Sequence, residues 1–189
     1  MNWCSINSDY LDSLRTEEIR IPYSEYTVDG QKRFKPFFTP LFTVLDLTYI
    51  TQISSPKPRH EKMKDNLDFI KVYKKEEDKT DDTLDFYGVI NLNYMFPVPS
   101  KYIYELKNSN IDTVREFENE EDKSKYIDLL SKQMEIINTL NLPVQAKKVY
   151  DLKNSAPGSK VSQRCLDFKG LEIVATNYVE KDVPTTESE

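Results

Sequence analysis

Tyr49-Ile50-Thr51-Gln52-Ile53-Ser54-Ser55-Pro56-Lys57-Pro58-Arg59-His60 begins as a strand and ends as a turn. β-Branched and aromatic residues fill its first half, the composition of a pleated, buried segment. Ser54-Ser55-Pro56-Lys57 then breaks the run with hydroxyls and a proline. Two hydroxyls, a lysine, an arginine and the chain's only histidine fall within seven residues. Such groups can hold and cleave a phosphodiester without a metal.

Working outward, Phe34 to Ile53 is dense in Phe, Thr, Val, Leu and Ile and predicts two consecutive strands, with a turn near Asp46-Leu47-Thr48. Neither face is cleanly polar, so part of the pair is expected to be buried on both sides. Leu67 to Tyr73 alternates as a third strand, and Leu84 to Val98 supplies one or two more. Trp3 to Ile6 reads as a short strand, followed by Asn7-Ser8-Asp9 as an N-cap and Tyr10, Leu11 and Leu14 on one helical face. Arg20 to Gln31, with Pro22 and Asp29-Gly30, reads as a surface loop. Lys123 to Leu142 is the strongest helix, with Tyr126, Leu130, Met134 and Ile137 at helical spacing and an acidic run suited to its positive end. Pro143 either ends that helix or opens a second one. Ser155 to Ser159 reads as a turn, Leu171 to Val179 as a closing strand. The acidic stretch Glu76 to Asp82 reads as a loop, and residues 183–189 as a disordered acidic tail. The order of elements predicts one α+β domain over residues 1–182, a mostly antiparallel sheet with helices packed around it.

Composition excludes several classes. Four glycines leave no Gly-rich phosphate loop of the nucleotide-binding type. One histidine and two distant cysteines, Cys4 and Cys165, give no metal-ligand spacing, so neither a metal nor another cofactor is expected. No apolar run reaches the ~18 residues of a membrane span, and no signal peptide is visible. Two lone cysteines fit a reducing, cytoplasmic setting. Net charge is −6, which alone disfavours nucleic acid, but the charges are segregated. Bases cluster at Lys32-Arg33 with Lys35, around Lys57 to Lys64, at Lys71 to Lys75 and at Lys147 to Arg164. Acids gather from Glu76 to Asp82, from Glu116 to Asp122 and in the tail. Each cluster taken singly is also what an ordinary solvated face looks like.

Several stretches together resemble the ToxN/AbiQ family of type III toxins. Tyr49 to His60 resembles the family's Ser-Pro-Lys turn with a following His. Ile90-Asn91-Leu92-Asn93-Tyr94-Met95-Phe96-Pro97 resembles its Ile-Asn-Leu strand. Lys35-Pro36-Phe37 resembles the start of its first core strand, Trp3 to Leu11 its opening strand and Tyr-bearing helix, and Lys132-Gln133 a Lys-Gln pair on its long helix. The likeness runs from residue 3 to about 180, and the turn and the Ile-Asn-Leu strand together are more specific than either alone. Ser54 stands where many relatives have Thr, which keeps the hydroxyl. Ser131 stands where some have an RNA-facing Tyr, which puts that contact in question. Either Tyr23 or Tyr26 can be the family's loop tyrosine.

The resemblance implies a strongly twisted, barrel-like antiparallel sheet with peripheral helices, similar to Kid/MazF-type toxins. It implies metal-independent endoribonuclease activity on single-stranded RNA, leaving a 2′,3′-cyclic phosphate and a 5′-hydroxyl. The substrates would be mRNA and the toxin's own antitoxin precursor. The inhibitor would be a small structured RNA, a tandem-repeat unit folded as a pseudoknot, held in a closed assembly of three toxins with three RNAs. The role would be abortive infection of phage or plasmid maintenance. Ser55 and Lys57, then Ser54 and Lys35, are the candidate catalytic residues, with the serines on the scissile phosphate and the lysines supplying charge or a proton. His60, Tyr10, Arg33, Arg59, Lys64, Lys132 and Gln133 are the candidate RNA contacts. His60 has a pKa near neutrality that also suits a general acid or base. Tyr10, Tyr94 and Tyr126 can stack on unpaired bases, although Tyr126 lies on the helix stripe that fills a core. Two rival readings stand beside this one: a non-catalytic RNA-binding module, and a protein-inhibited toxin on a MazF-like sheet.

Overall fold

The computed structural model describes residues 1–75 and 84–179. Its ten strands are β1 (Asn2–Ile6), β2 (Glu25–Val28), β3 (Gln31–Phe34), β4 (Phe37–Thr39), β5 (Thr43–Val44), β6 (Leu47–Ser54), β7 (Phe69–Lys75), β8 (Leu84–Asn91), β9 (Phe96–Pro99) and β10 (Ile103–Glu105). Six helices accompany them: α1 (Ser8–Glu17), α2 (Pro58–Lys62), α3 (Glu120–Thr139), α4 (Leu142–Ser155), α5 (Lys160–Arg164) and α6 (Phe168–Asn177). The large sheet runs β10-β1-β4-β6-β8-β7, all pairs antiparallel, with β5 and β9 also on β6. The path ends in two separate edge strands, β10 and β7, so the sheet expected to approach a barrel is open.

β6 organises the sheet. Six of its eight residues, Leu47 and Tyr49 to Ile53, are buried, as expected of a strand covered on both faces. Leu47 pairs with Val44 on one edge and with Pro99 on the other. Further along, Thr51 and Gln52 pair with Phe38 and Phe37, and Ile53 and Ser54 with Ile90 and Val89. Tyr49 is fully buried, and its hydroxyl donates to Glu172 Oε1 at 2.9 Å. The Tyr150 hydroxyl donates to the same oxygen at 2.7 Å, and Lys169 Nζ to Oε2 at 2.8 Å. One carboxylate thus ties the central strand to α4 and α6, satisfying two phenols that their burial would otherwise leave unpaired.

Helix starts follow their caps. The Asn7 side chain accepts from Tyr10 N, Asn119 from Asp122 N and Asp167 from Gly170 N. The acidic run therefore lies within the first turn of α3, where Glu120, Glu121 and Asp122 face the positive end of the dipole. Pro143 opens α4.

Three expectations are corrected. Leu171 to Val179 is not a strand but most of α6. Phe168, Leu171 and Ala175 are its buried face, a helical spacing that the β-branched Ile173 and Val174 disguise. Arg20 to Gln31 is not loop throughout. It holds β2 and enters β3, a hairpin closed at Asp29-Gly30 with both residues at positive φ, the two-residue turn such hairpins favour. All four residues of β2 are exposed, so no alternating apolar face announces it. The β5–β6 turn lies at Leu45-Asp46, one residue before the expected place, with Leu45 at φ 53°. Helix α5 had no expectation at all. The predicted acidic loop and tail fall outside the described residues.

Candidate functional site

The turn after β6 is held from both sides. On one side, Ser54 pairs with Val89 of β8, whose neighbour Gly88 sits at φ +146°. A Cβ at position 88 would lie 2.5 Å from Ile53 Cγ2 and 2.6 Å from the Ser54 carbonyl oxygen, so only glycine lets β8 approach the strand end this closely. On the other side, Pro56 and Pro58 restrict the backbone, and the His60 amide donates to the Lys57 carbonyl at 2.8 Å. Ser55, Pro56 and Lys57 are exposed, while Ser54 is half-buried.

Lys35 lies two residues before β4, in the link from β3. Phe37 pairs with Gln52, two residues before Ser54, and Lys35 lines one cavity with Ser55. Its amide donates to the Ser24 carbonyl at 2.7 Å. The Gln52 side chain donates to the Lys35 carbonyl at 3.0 Å and to the Tyr23 carbonyl at 3.2 Å. Burial, and then the positive charge of Lys57, hold the Lys35 ammonium below the ordinary lysine pKa. The two lysines are therefore electrostatic neighbours although 22 positions separate them in the sequence.

Two cavities meet at the turn. One, about 430 Å³, is lined by Ser55 and Lys35 with Tyr26, Phe86, Tyr87, Arg115 and Tyr126. The other, about 720 Å³, is lined by Ser54 and Lys57 with Arg20, Arg59, His60, Tyr94 and Arg164. The first is aromatic and the second basic. Some cations in these walls are already matched. Arg20 pairs with Glu18 at 2.6 Å, and Arg164 clamps the buried Asp68 through two nitrogens at 2.7 and 3.0 Å. Lys35, Lys57 and Arg59 have no acidic partner among the described residues. Hydroxyls, unpaired cations and a flanking aromatic wall together can grip a phosphodiester and offset charge developing on its oxygens.

Ser54, Ser55 and Lys57 thus share one turn, with Ser55 and Lys35 on the aromatic cavity and Ser54, Lys57, Arg59 and His60 on the basic one. His60 is not the open contact expected of an RNA-binding residue. It is 4% exposed, lies edge-on to Phe69 with ring centroids 5.8 Å apart, and its Nδ1 has no hydrogen-bond partner among the described residues. Burial, then Arg59 and Lys57, lower its pKa, which favours the neutral imidazole. Tyr10 is corrected outright. It is fully buried, stacked on Tyr102 at 5.3 Å, with its hydroxyl on the Pro97 carbonyl at 2.7 Å, and cannot meet a base. Gln133 is also buried, and its amide donates to the Tyr87 carbonyl at 3.0 Å, bracing the wall of the aromatic cavity. Lys132 is paired to Asp128 one turn back, Arg33 lies between Glu118 and Asp122, and Lys64 is exposed past α2; none of the three lines either cavity.

Of the two candidate loop tyrosines, Tyr26 lines the aromatic cavity, while Tyr23 lies under the Arg15 guanidinium, 3.1 Å from its ring centroid. Tyr94 is 38% exposed on the basic cavity. Tyr126 donates to the Phe34 carbonyl at 2.9 Å and carries the Arg115 guanidinium 4.0 Å above its ring. Nothing local in the sequence marks Arg115 or Arg20 for a site, and Arg164 shows there only as the end of a basic cluster; the three come from distant segments.

The chain belongs to the ToxN family, the toxins of type III toxin–antitoxin systems, whose family model matches residues 2–176. Three solved structures are similar along almost their whole length. The first is described as a bacterial antiviral system regulated by a processed non-coding RNA (TM-score 0.72, 19% identity, 95% of this chain and 100% of that one). The second is a bacterial type III system in which a non-coding RNA pseudoknot selectively inhibits the toxin (0.69, 21%, 96% and 100%). The third is AbiQ, a lactococcal anti-phage endoribonuclease of a type III system (0.69, 17%, 93% and 95%). At these identities the likeness is one of fold. A search of curated protein sequences gave no match. Among the described residues, no helix is long and apolar enough to cross a membrane.

Proposed function

We propose that this toxin is an endoribonuclease that cuts single-stranded RNA at the turn after β6, without a metal. The observation that carries the reading is the turn after β6, where Ser54, Ser55 and Lys57 stand between two adjoining cavities and Lys35 lies within electrostatic reach of Lys57, with both lysines free of acidic partners among the described residues. RNA supplies its own nucleophile. The 2′-oxygen attacks phosphorus in line with the 5′-oxygen, the P–O5′ bond breaks, the 2′-hydroxyl gives up its proton and the leaving 5′-oxygen gains one. The products are a 2′,3′-cyclic phosphate and a 5′-hydroxyl. Ser54 and Ser55 hold the nonbridging oxygens. Lys57, the more exposed lysine, offsets their charge or protonates the leaving oxygen, and Lys35 adds a second positive charge from the other wall. A base beside the scissile bond stacks in the aromatic cavity.

Family membership and the RNA-regulated systems described for its structural relatives support the following reading of its regulation. The inhibitor is a small RNA pseudoknot cut from a tandem-repeat precursor by the toxin itself, bound in a closed assembly of three toxins and three RNAs. The cellular substrate is mRNA, in the cytoplasm, and the role is abortive infection of phage or plasmid maintenance. Residues 1–182 act as one domain.

The test is incubation of purified toxin, stripped of bound RNA, with a labelled single-stranded RNA in excess EDTA. New 2′,3′-cyclic phosphate and 5′-hydroxyl ends, absent with Lys57→Ala, are expected. Intact RNA with verified folded protein would overturn the enzyme reading in favour of an RNA-binding module. Growth rescue by a folded protein instead of a repeat RNA would overturn the regulatory half.

A further inference from the structure

The scissile phosphate needs the turn, yet the basic cavity extends well beyond it. Ser54 and Lys57 form only its near edge, and the remaining wall runs through α2, the start of β7 and α5. At about 720 Å³ it has the size of a site for a whole nucleotide. Of the cations in that farther wall, Arg20 is committed to Glu18 and Arg164 to Asp68. Arg59 is exposed and has no acidic partner among the described residues. One residue on, the His60 ring is buried with an unpartnered Nδ1. A buried polar atom without a partner is costly, and native proteins keep few of them. Here the orphan sits beside an unpaired guanidinium, in the wall of a cavity continuous with the cleavage turn.

We propose that this cavity is a second phosphate subsite: Arg59, supported by the His60 ring, holds the backbone phosphate next to the scissile one, so that the toxin grips two successive phosphates across the turn. This rests on the ribonuclease reading for the identity of the ligand, though not for the site itself. Tyr94, half-exposed on the same cavity, offers its ring to the intervening base. Binding of this kind is sequence-independent, since the phosphate fixes register while any base selection falls to the aromatic cavity. It also pins the strand on both sides of the reacting linkage, which is what in-line attack requires.

The experiment is a charge scan of the substrate. Methylphosphonate, which lacks the phosphate's charge, is placed at one linkage at a time in a short RNA that the toxin cleaves. Wild type is expected to lose about tenfold or more in kcat/KM, the size of a charge-assisted hydrogen bond, at one linkage adjacent to the scissile one. In Arg59→Gln the intact RNA is cut slower by a similar factor and the drop at that linkage disappears, while Arg59→Lys restores part of both. If all non-scissile linkages are equivalent in wild type, or if the drop persists in Arg59→Gln, the subsite is refuted.

A second arm does not depend on cleavage. His60 is the only histidine, so its imidazole NMR signals are unambiguous. A cleavage-inert RNA carrying 2′-deoxyribose at the scissile position should shift them, and methylphosphonate at the adjacent linkage should abolish the shift. That result in a protein that cuts no RNA would keep the subsite and sink the ribonuclease reading. Signals that ignore bound RNA, or that respond to inorganic phosphate but not to RNA, would overturn the subsite even if cleavage is normal.

Discussion

A single methyl group at position 88 measures how firmly the sheet supports the turn after β6. Gly88→Ala would place a carbon 2.5 Å from Ile53 Cγ2 and 2.6 Å from the Ser54 carbonyl oxygen, at a φ of +146°. Ile53 is buried and paired with Ile90, and the Ser54 oxygen is backbone, so neither can yield without moving the strand end. Overpacking in a tight interior costs about 1–3 kcal/mol. Holding a side chain in a backbone region meant for glycine costs about 1–3 kcal/mol more. The expected loss is about 2–6 kcal/mol, against a total stability of about 5–15 kcal/mol for a domain. Urea denaturation should therefore show a large drop in midpoint. Cleavage at a temperature where the variant remains folded should fall as well, because relief of the clash displaces the backbone that carries Ser54 and Ser55. Gly158→Ala is the control: nothing lies within 4 Å of a Cβ there, so its stability should stay within about 0.5 kcal/mol of wild type. A Gly88→Ala protein as stable and as active as that control would refute the claim that β8 buttresses the turn.

Other outcomes follow from the same site. Removing the Lys57 charge with Lys57→Met should raise the Lys35 pKa toward, but not up to, the ordinary lysine value, because burial is the larger cause of the depression; lysine-selective NMR titration reads this, and an unmoved Lys35 would mean the two ammoniums are not neighbours. The His60 pKa is lowered from 6.5, so in the pH range just below that value the unfolded chain takes up a proton that the folded chain refuses. Stability contributed by the neutral ring is therefore lost as pH falls below about 6.5, and denaturation midpoints of wild type and His60→Gln at pH 7 and pH 5 should diverge, with wild type the more pH-sensitive. Gln52→Leu frees the carbonyls of Lys35 and Tyr23 from their shared donor. It should cost about 1–3 kcal/mol and lower kcat more than it raises KM; a proportionate change in both would mean that Gln52 is merely structural.

Much of this architecture can be read from the residues. Runs of aromatic, β-branched and other apolar residues mark β4, β6, β8 and β9 because buried strands need little else. Asn7 and the stripe from Tyr126 to Ile137 mark α1 and α3 because caps and helical spacing are local signals. The candidate turn is visible for the same reason, since Ser54, Ser55 and Lys57 are nearly contiguous. What escapes local reading depends on burial or on distance. Tyr10 has a ring equally suited to a base or a core, and only packing against Tyr102 decides between them. The hairpin of β2 and β3 has no apolar face, and α6 presents β-branched residues on its exposed side. The cavities are assembled from segments more than a hundred residues apart, so Arg115 and Arg164 look like any other surface arginine until the chain is folded.

β6 pairs with β4, β5, β8 and β9, and the candidate catalytic serines stand at its end. Amides of such a strand should exchange only through near-global opening, while α2, five residues long and mostly exposed, can open locally. Switching off this centre by distortion would mean breaking several strand pairings at once. A natural restraint, or a drug, has an easier course in covering the two cavities than in deforming the turn between them.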